Sequence, residues 1–184
     1  MKNLLVTGYR AHELQIFNQK HPGIPFIRKA IRDRLVPLIE NGLEWMITPG
    51  GYGVDLWACE TGIELKQEYP QFKISILAAY AKPEEKWKEE RQDYYRTILK
   101  GIDYYGEVSS QPYTGGWQLK ARDDMLLRKT DGMLLFYDED AGEGSPRFYR
   151  ERALKRQQQD GYPIITITAE DVQMVADEAN MRFE

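Results

Sequence analysis

The chain has 184 residues, with 25 Lys+Arg against 29 Asp+Glu and a formal net charge of -4. One cysteine, Cys59, and two histidines, His12 and His21, are too few for a structural zinc site, which takes about four Cys/His ligands. They also exclude a disulfide within the chain and confine any histidine triad to His12 or His21.

In chain order, Leu4-Leu5-Val6 reads as a first strand ending at Thr7-Gly8-Tyr9-Arg10. A loop with Pro22, Gly23 and Pro25 follows. Apolar residues from Phe26 to Ile39 then recur at helical spacing up to Asn41-Gly42, with Pro37 predicting a kink or an early end. Trp45–Thr48 is the second strand. After Pro49-Gly50-Gly51-Tyr52-Gly53, the positions Val54, Trp57, Ala58, Thr61 and Leu65 define a helix face, and Gly62 predicts close packing of that helix on the sheet. Lys73–Ala78 is the third strand, Trp87 to Ile98 a charged helix, and Tyr104–Val108 a fourth strand. A loop at 109–116 leads to a helix at about Trp117–Lys129. Gly132–Tyr137 is apolar enough for the buried centre of a parallel sheet. An acidic Gly-rich loop, Asp138–Gly144, leads to a helix near Ser145-Pro146. The strand Pro163–Thr168 and a short helix after Ala169 complete the pattern. This alternation predicts an α/β chain, a doubly wound, mostly parallel Rossmann-like sheet with helices on both faces, in a single domain over 1–184.

The run Met1–Gly8 is too short for a signal peptide. The longest uncharged stretch, Val108–Leu119, is polar rather than membrane-spanning. With a lone cysteine, the expectation is a soluble cytoplasmic protein with no membrane partner. The mild acidity makes nucleic acid an unexpected partner.

In open α/β sheets, ligands bind beyond the carboxyl ends of the strands. At the first such end, Gly8 admits a ligand close to the backbone, Tyr9 stands beside it, and Arg10 can fork onto a phosphate. At the second, Gly50, Gly51 and Gly53 can aim backbone N–H groups at an anion, reinforced by the helix N-terminus that follows. Asp55 either stabilises that helix end or accepts hydrogen bonds from ribose hydroxyls, and Trp57 either fills the core or borders the ligand. At the third, Asp138, Gly144 and Ser145 offer a carboxylate, a close approach and donors. The acidic residues of that loop fit either a solvated surface or a magnesium site. Arg122, beside Asp123 and Asp124, either reaches the same cleft or forms a surface salt bridge. The run Arg147, Arg150, Arg152, Lys155 and Arg156 reads as a solvated basic face or a nucleic-acid contact.

Nearly the whole chain resembles the YpsA-like family of Gram-positive bacteria, in the Rossmann-like SLOG superfamily with DprA and the LOG phosphoribohydrolases. The resemblance rests on Val6–Arg10, Gly53–Ala58, Lys129–Asp138 and Arg156–Ile164. It implies a cleft for a nucleotide or a nucleotide-derived ligand such as ADP-ribose or NAD, no required cofactor, no metal, and a regulatory role in cell division or stress. Gly8 and Arg10 match a Gly-Ser-Arg element of DprA, Gly53-Val54-Asp55 its Gly-Ile-Asp, and Arg122 a basic position of the superfamily. Pro49–Gly53 imitates the LOG loop, but Trp57 stands where the catalytic Glu belongs and Glu60 is three positions late. A non-enzymatic binder is therefore the leading expectation. The alternatives are an N-glycosidic hydrolase using Glu60, Glu143 or Glu151, and a partner-binding module presenting Tyr104, Tyr105, Tyr113 and Trp117. SLOG proteins often self-associate, so a homo-oligomer is a further expectation.

Overall fold

Six strands, β1 (Asn3–Thr7), β2 (Trp45–Thr48), β3 (Lys73–Ala78), β4 (Tyr104–Glu107), β5 (Gly132–Phe136) and β6 (Ile164–Ile167), form one parallel sheet in the order β4-β3-β2-β1-β5-β6. The computed structural model describes residues 1–141 and 144–181. Its helices are α1 (Ile24–Glu40), α2 (Val54–Leu65), α3 (Glu89–Gly101), α4 (Gly116–Lys129), α5 (Pro146–Asp160) and α6 (Ala169–Met181).

The chain winds from β1 outward to β4, then returns to place β5 on the other side of β1. Strand parity shows where the helices sit. A Cβ added at Gly62 of α2 would lie 2.9 Å from Ile74 and 3.2 Å from Met46, so α2 covers the face carrying those side chains. Met125 of α4 instead lies with Trp45, Ile47 and Leu77, the alternate positions of the same strands, and therefore on the opposite face. α1 packs on α2 and on α6, and α2 on α3, while α5 packs on β5 and β6. The close approach at Gly62 is the packing that its place in an apolar helix predicts. β5 is buried at all five positions, as its apolar run requires, although it lies between β1 and β6 rather than at the middle of the sheet.

Some boundaries differ from the sequence pattern. α1 runs three residues past Pro37, because Pro37 falls in the last turn and the chain beyond it is held by the Asn41 N–H and side-chain amide, both donating to the Pro37 carbonyl. Trp87 lies before α3, in a turn closed by its own N–H on the Glu84 carbonyl. Ala11–Leu14 forms a short 3-10 turn inside the predicted loop, and α6 extends over 13 residues. Among the described residues, no helix is long and apolar enough to cross a membrane.

Candidate functional site

β1 has β2 on one side and β5 on the other, so the chain reverses its winding there and leaves a crevice at the strands' carboxyl ends. Two loops meet in it. The Ala11 N–H donates to the Tyr52 carbonyl at 2.9 Å, and the Val54 N–H donates to the Tyr9 carbonyl at 3.1 Å. This contact needs Gly53. Its φ is +151°, and a Cβ there would stand 2.5 Å from the Ala11 nitrogen. Gly53 joins the loops and is not among the residues lining the cavities described below.

The first turn of α2 places Asp55 under both loops, only 7% exposed. The Thr7 hydroxyl donates to its Oδ1 at 2.7 Å, and the Gly51 N–H donates to its Oδ2 at 2.8 Å. Burial pushes the Asp55 carboxyl up to about 6, against those two hydrogen bonds and the charges of Arg122 and Arg10, which pull it down. The expected use of Gly51 as a phosphate donor is therefore corrected: its N–H is taken by a carboxylate four residues along.

Above Asp55 is a small cavity of about 50 Å³. Gly8, Tyr9 and Arg10 line it from the loop after β1, Gly51 and Asp55 from the segment after β2, and Arg122 and Ser145 from the opposite side. It adjoins an open cleft of about 430 Å³ that shares Arg10, Gly51 and Arg122 and adds Gly50. Seven of the predicted residues thus line one cavity and Gly50 lines the adjoining cleft.

Arg122 is no surface pair. Its side chain is 16% exposed, its Nε lies 3.1 Å from Asp123 Oδ1, and its Nη2 donates to the Tyr149 hydroxyl at 3.0 Å. Tyr149 in turn donates to Asp123 at 2.6 Å. At the N-terminus of α5, the Ser145 N–H and hydroxyl both donate to Glu13, at 2.7 and 2.5 Å, and the Arg10 N–H donates to Glu13 at 2.8 Å. The donors expected of Ser145 are thus engaged by an internal carboxylate, and Gly144 packs against Glu13 and Tyr9. Tyr9 is buried, and its hydroxyl exchanges hydrogen bonds with the Asp138 backbone, both at 3.0 Å.

Other predicted residues stand elsewhere. Trp57 is fully buried, and its indole N–H donates to Gln19 at 3.2 Å, so it is core rather than ligand border. Asp138 accepts from the Asp140 N–H at 2.9 Å and the Ala169 N–H at 3.0 Å, tying its loop to α6 instead of facing the cleft. Glu60 accepts from Tyr94 and pairs with Arg28, Glu151 pairs with Arg147, and Glu143 lies outside the described residues. Along α5, Arg150 pairs with Glu139, Arg152 with Asp124 and Arg156 with Asp160, so the basic run is largely a paired face. Tyr104, Tyr113 and Trp117 are each 57% exposed and Tyr105 is half-buried. Burial pushes the Cys59 thiol up, leaving it unreactive. Among the described residues, no cluster of His, Cys, Asp or Glu can hold a metal ion.

Sequence reasoning missed Glu13 and the outer wall of the cleft, which includes Tyr80, Lys86, Trp87, Lys88 and Arg91. The signal for the wall was its position: it follows the carboxyl end of β3, where the strand-end rule applies as it does to β1 and β2. The signal for Glu13 was its spacing three residues after Arg10, that of a capping carboxylate.

The fold is similar to that of DNA processing protein A from Helicobacter pylori, whose structure was described for its single-stranded DNA binding mode. The TM-score is 0.56 at 14% identity, over 90% of this chain and 64%, less than two thirds, of that one. The chain is also 48% identical to a UPF0398 protein of Brevibacillus brevis, over 97% of this chain and 94% of the relative. It is 39% identical to the UPF0398 protein YpsA of Bacillus subtilis, over 97% of this chain and 98% of that protein. The family model of the YspA SLOG family matches residues 4–172, and the chain belongs to that family.

Proposed function

We propose that the cleft binds a nucleotide or a nucleotide-derived ligand, of the ADP-ribose or NAD kind, and that the protein is a non-enzymatic sensor or regulator. The observation carrying this reading is the convergence of Arg10 and Arg122 on one cavity above the buried Asp55. Two guanidinium groups suit a phosphate, and a carboxylate beside them suits ribose hydroxyls. Arg10 forms no ion pair among the described residues, so its charge is available to a ligand. The engagement of Glu60 and Glu151 away from the cleft supports a binding role over N-glycosidic hydrolysis. The proposal extends to a regulatory output in cell division or stress, which the resemblance to the YpsA-like family implies.

The test is calorimetry with ADP-ribose, NAD, nucleoside monophosphates and a short single-stranded DNA, with chromatography for released base. The expected result is saturable binding of at least one nucleotide, weakened about tenfold by Arg10→Ala, which corresponds to about 1.4 kcal/mol. Folded protein that binds none of them overturns the reading. Release of free base replaces it with the hydrolase, and binding of the DNA alone replaces it with a nucleic-acid binder.

A further inference from the structure

The segment Glu84-Glu85-Lys86-Trp87-Lys88-Glu89-Glu90-Arg91 holds four acids and three bases, yet the cleft receives only Lys86, Trp87, Lys88 and Arg91 from it. This sorting is built into the fold. The side-chain amide of Gln92 donates to the Glu84 and Glu85 carbonyls at 3.0 and 2.9 Å, pinning the turn before α3. The Lys88 carbonyl accepts from the Arg91 and Gln92 N–H groups, both at 3.0 Å, as the first turn of α3 begins. The Arg91 guanidinium lies 4.6 Å from the centre of the Tyr52 ring, and Trp87 stands edge-on to Tyr52 and Tyr95, so part of this wall is held by ring packing.

Among the described residues, Arg10 and Arg122 bring the Lys and Arg side chains lining the cleft to five, and no Asp or Glu lines it. Lys86, Lys88 and Arg91 form no ion pair among the described residues. In a chain of net charge -4, a cleft walled this way attracts anions, and of its five cations only Arg122 is ion-paired, with Asp123, among the described residues.

We infer that Lys86, Lys88 and Arg91 form a second anion subsite, separate from Arg10 and Arg122, so that the ligand carries at least two phosphate groups. This rests on the nucleotide reading above and narrows it to a class. The shared chemistry is a pair of phosphates spanning the cleft, supplied either by a 5′ phosphoanhydride chain or by phosphates on two ribose hydroxyls.

The test compares one nucleoside as its 5′-monophosphate, 5′-triphosphate and 3′,5′-bisphosphate, by calorimetry on the wild type and on a Lys86→Gln/Lys88→Gln double variant with an unchanged melting temperature. The expected result is at least a tenfold gain from the added phosphate in the wild type, lost in the variant, whose monophosphate affinity falls by less than its affinity for the ligand carrying the added phosphate. Whether the triphosphate or the bisphosphate gains identifies the source. Equal affinities in the wild type, or a gain that survives in the variant, overturn the inference and leave the nucleotide reading standing. No binding by any of the three, or by the wider panel, removes both. Should the double variant unfold, Arg91→Lys carries the same comparison, with a reduced gain expected and an undiminished one overturning the inference.

Discussion

The Gly51 N–H donates to Asp55 Oδ2 at 2.8 Å, so the glycine loop after β2 closes on a carboxylate of its own chain. Asp55 therefore sets the local electrostatics before any ligand arrives. Its folded pKa of about 6 lies above its ordinary 3.8, because burial disfavours the charge. Between those values the folded state holds a proton that the unfolded chain has lost, so stability falls as pH rises through the window. The cost above pH 6 is up to about 3 kcal/mol.

Asp55→Asn removes that charge and keeps the hydrogen bonds, since the amide oxygen can accept from Gly51 and the amide nitrogen can donate to a rotated Thr7 hydroxyl. The variant should be more stable than the wild type at pH 7, with the advantage shrinking to nothing near pH 4. Urea unfolding across that range measures it. A difference that does not vary with pH would show that the Asp55 charge is not the cause.

Glu13 should behave in the opposite sense. Burial pushes its carboxyl up, but the Ser145 hydroxyl, with the Arg10 and Ser145 N–H groups, pulls it below the ordinary 4.5. Its stabilisation is present above about pH 4.5 and is lost as pH falls below it. In Glu13→Gln the amide nitrogen would face the Ser145 N–H, donor against donor. The expected cost is about 1 to 3 kcal/mol at pH 7, fading in acid, measured by the same unfolding series. A cost that grows in acid would contradict this assignment.

The sheet is legible in the sequence because β1, β2, β3 and β5 are short apolar runs, each followed by Gly or by Pro and Gly within a few residues or by a helical repeat. Gly62 is legible for a related reason: a glycine inside an apolar helix has few uses besides close packing. Spacing cannot say which partner a backbone amide takes. Gly51 reads as a phosphate donor until Asp55, four residues later, turns inward beneath it. Trp57 sits one helical turn into the same element and equally fits core or cleft, and its bond to Gln19 depends on the loop before α1. The sorting of charges along residues 84–91 depends on Gln92 pinning a turn, which composition does not reveal.

Gly53→Ala should disturb the fold rather than test binding. A side chain at φ +151° is strained, and its Cβ would strike the backbone of Tyr9, Arg10 and Ala11. The expected loss exceeds about 2 kcal/mol. Gly161 is the control: its φ is +76°, but nothing lies within 4 Å of where an added methyl would stand, so Gly161→Ala should cost only about 1 kcal/mol. Equal losses in thermal unfolding would mean that the contact between the two loops contributes little.

Arg10 and Arg122 share a cavity but differ in what holds them, and paired variants separate the two roles. Arg10 is exposed and without an ion pair among the described residues, so Arg10→Gln should weaken phosphate binding about tenfold and leave the melting temperature unchanged. Arg122 is bonded to Asp123 and Tyr149, and Tyr149 is itself bonded to Asp123. Arg122→Gln leaves the Asp123 carboxylate without its neighbouring cation in a half-buried setting, at an expected cost of about 1 to 3 kcal/mol on top of weaker binding. Tyr149→Phe should reproduce part of that instability with a smaller effect on affinity, because it loosens Arg122 while leaving its charge in place. If Tyr149→Phe weakens binding as much as Arg122→Gln, the orientation of the guanidinium governs recognition more than its charge does.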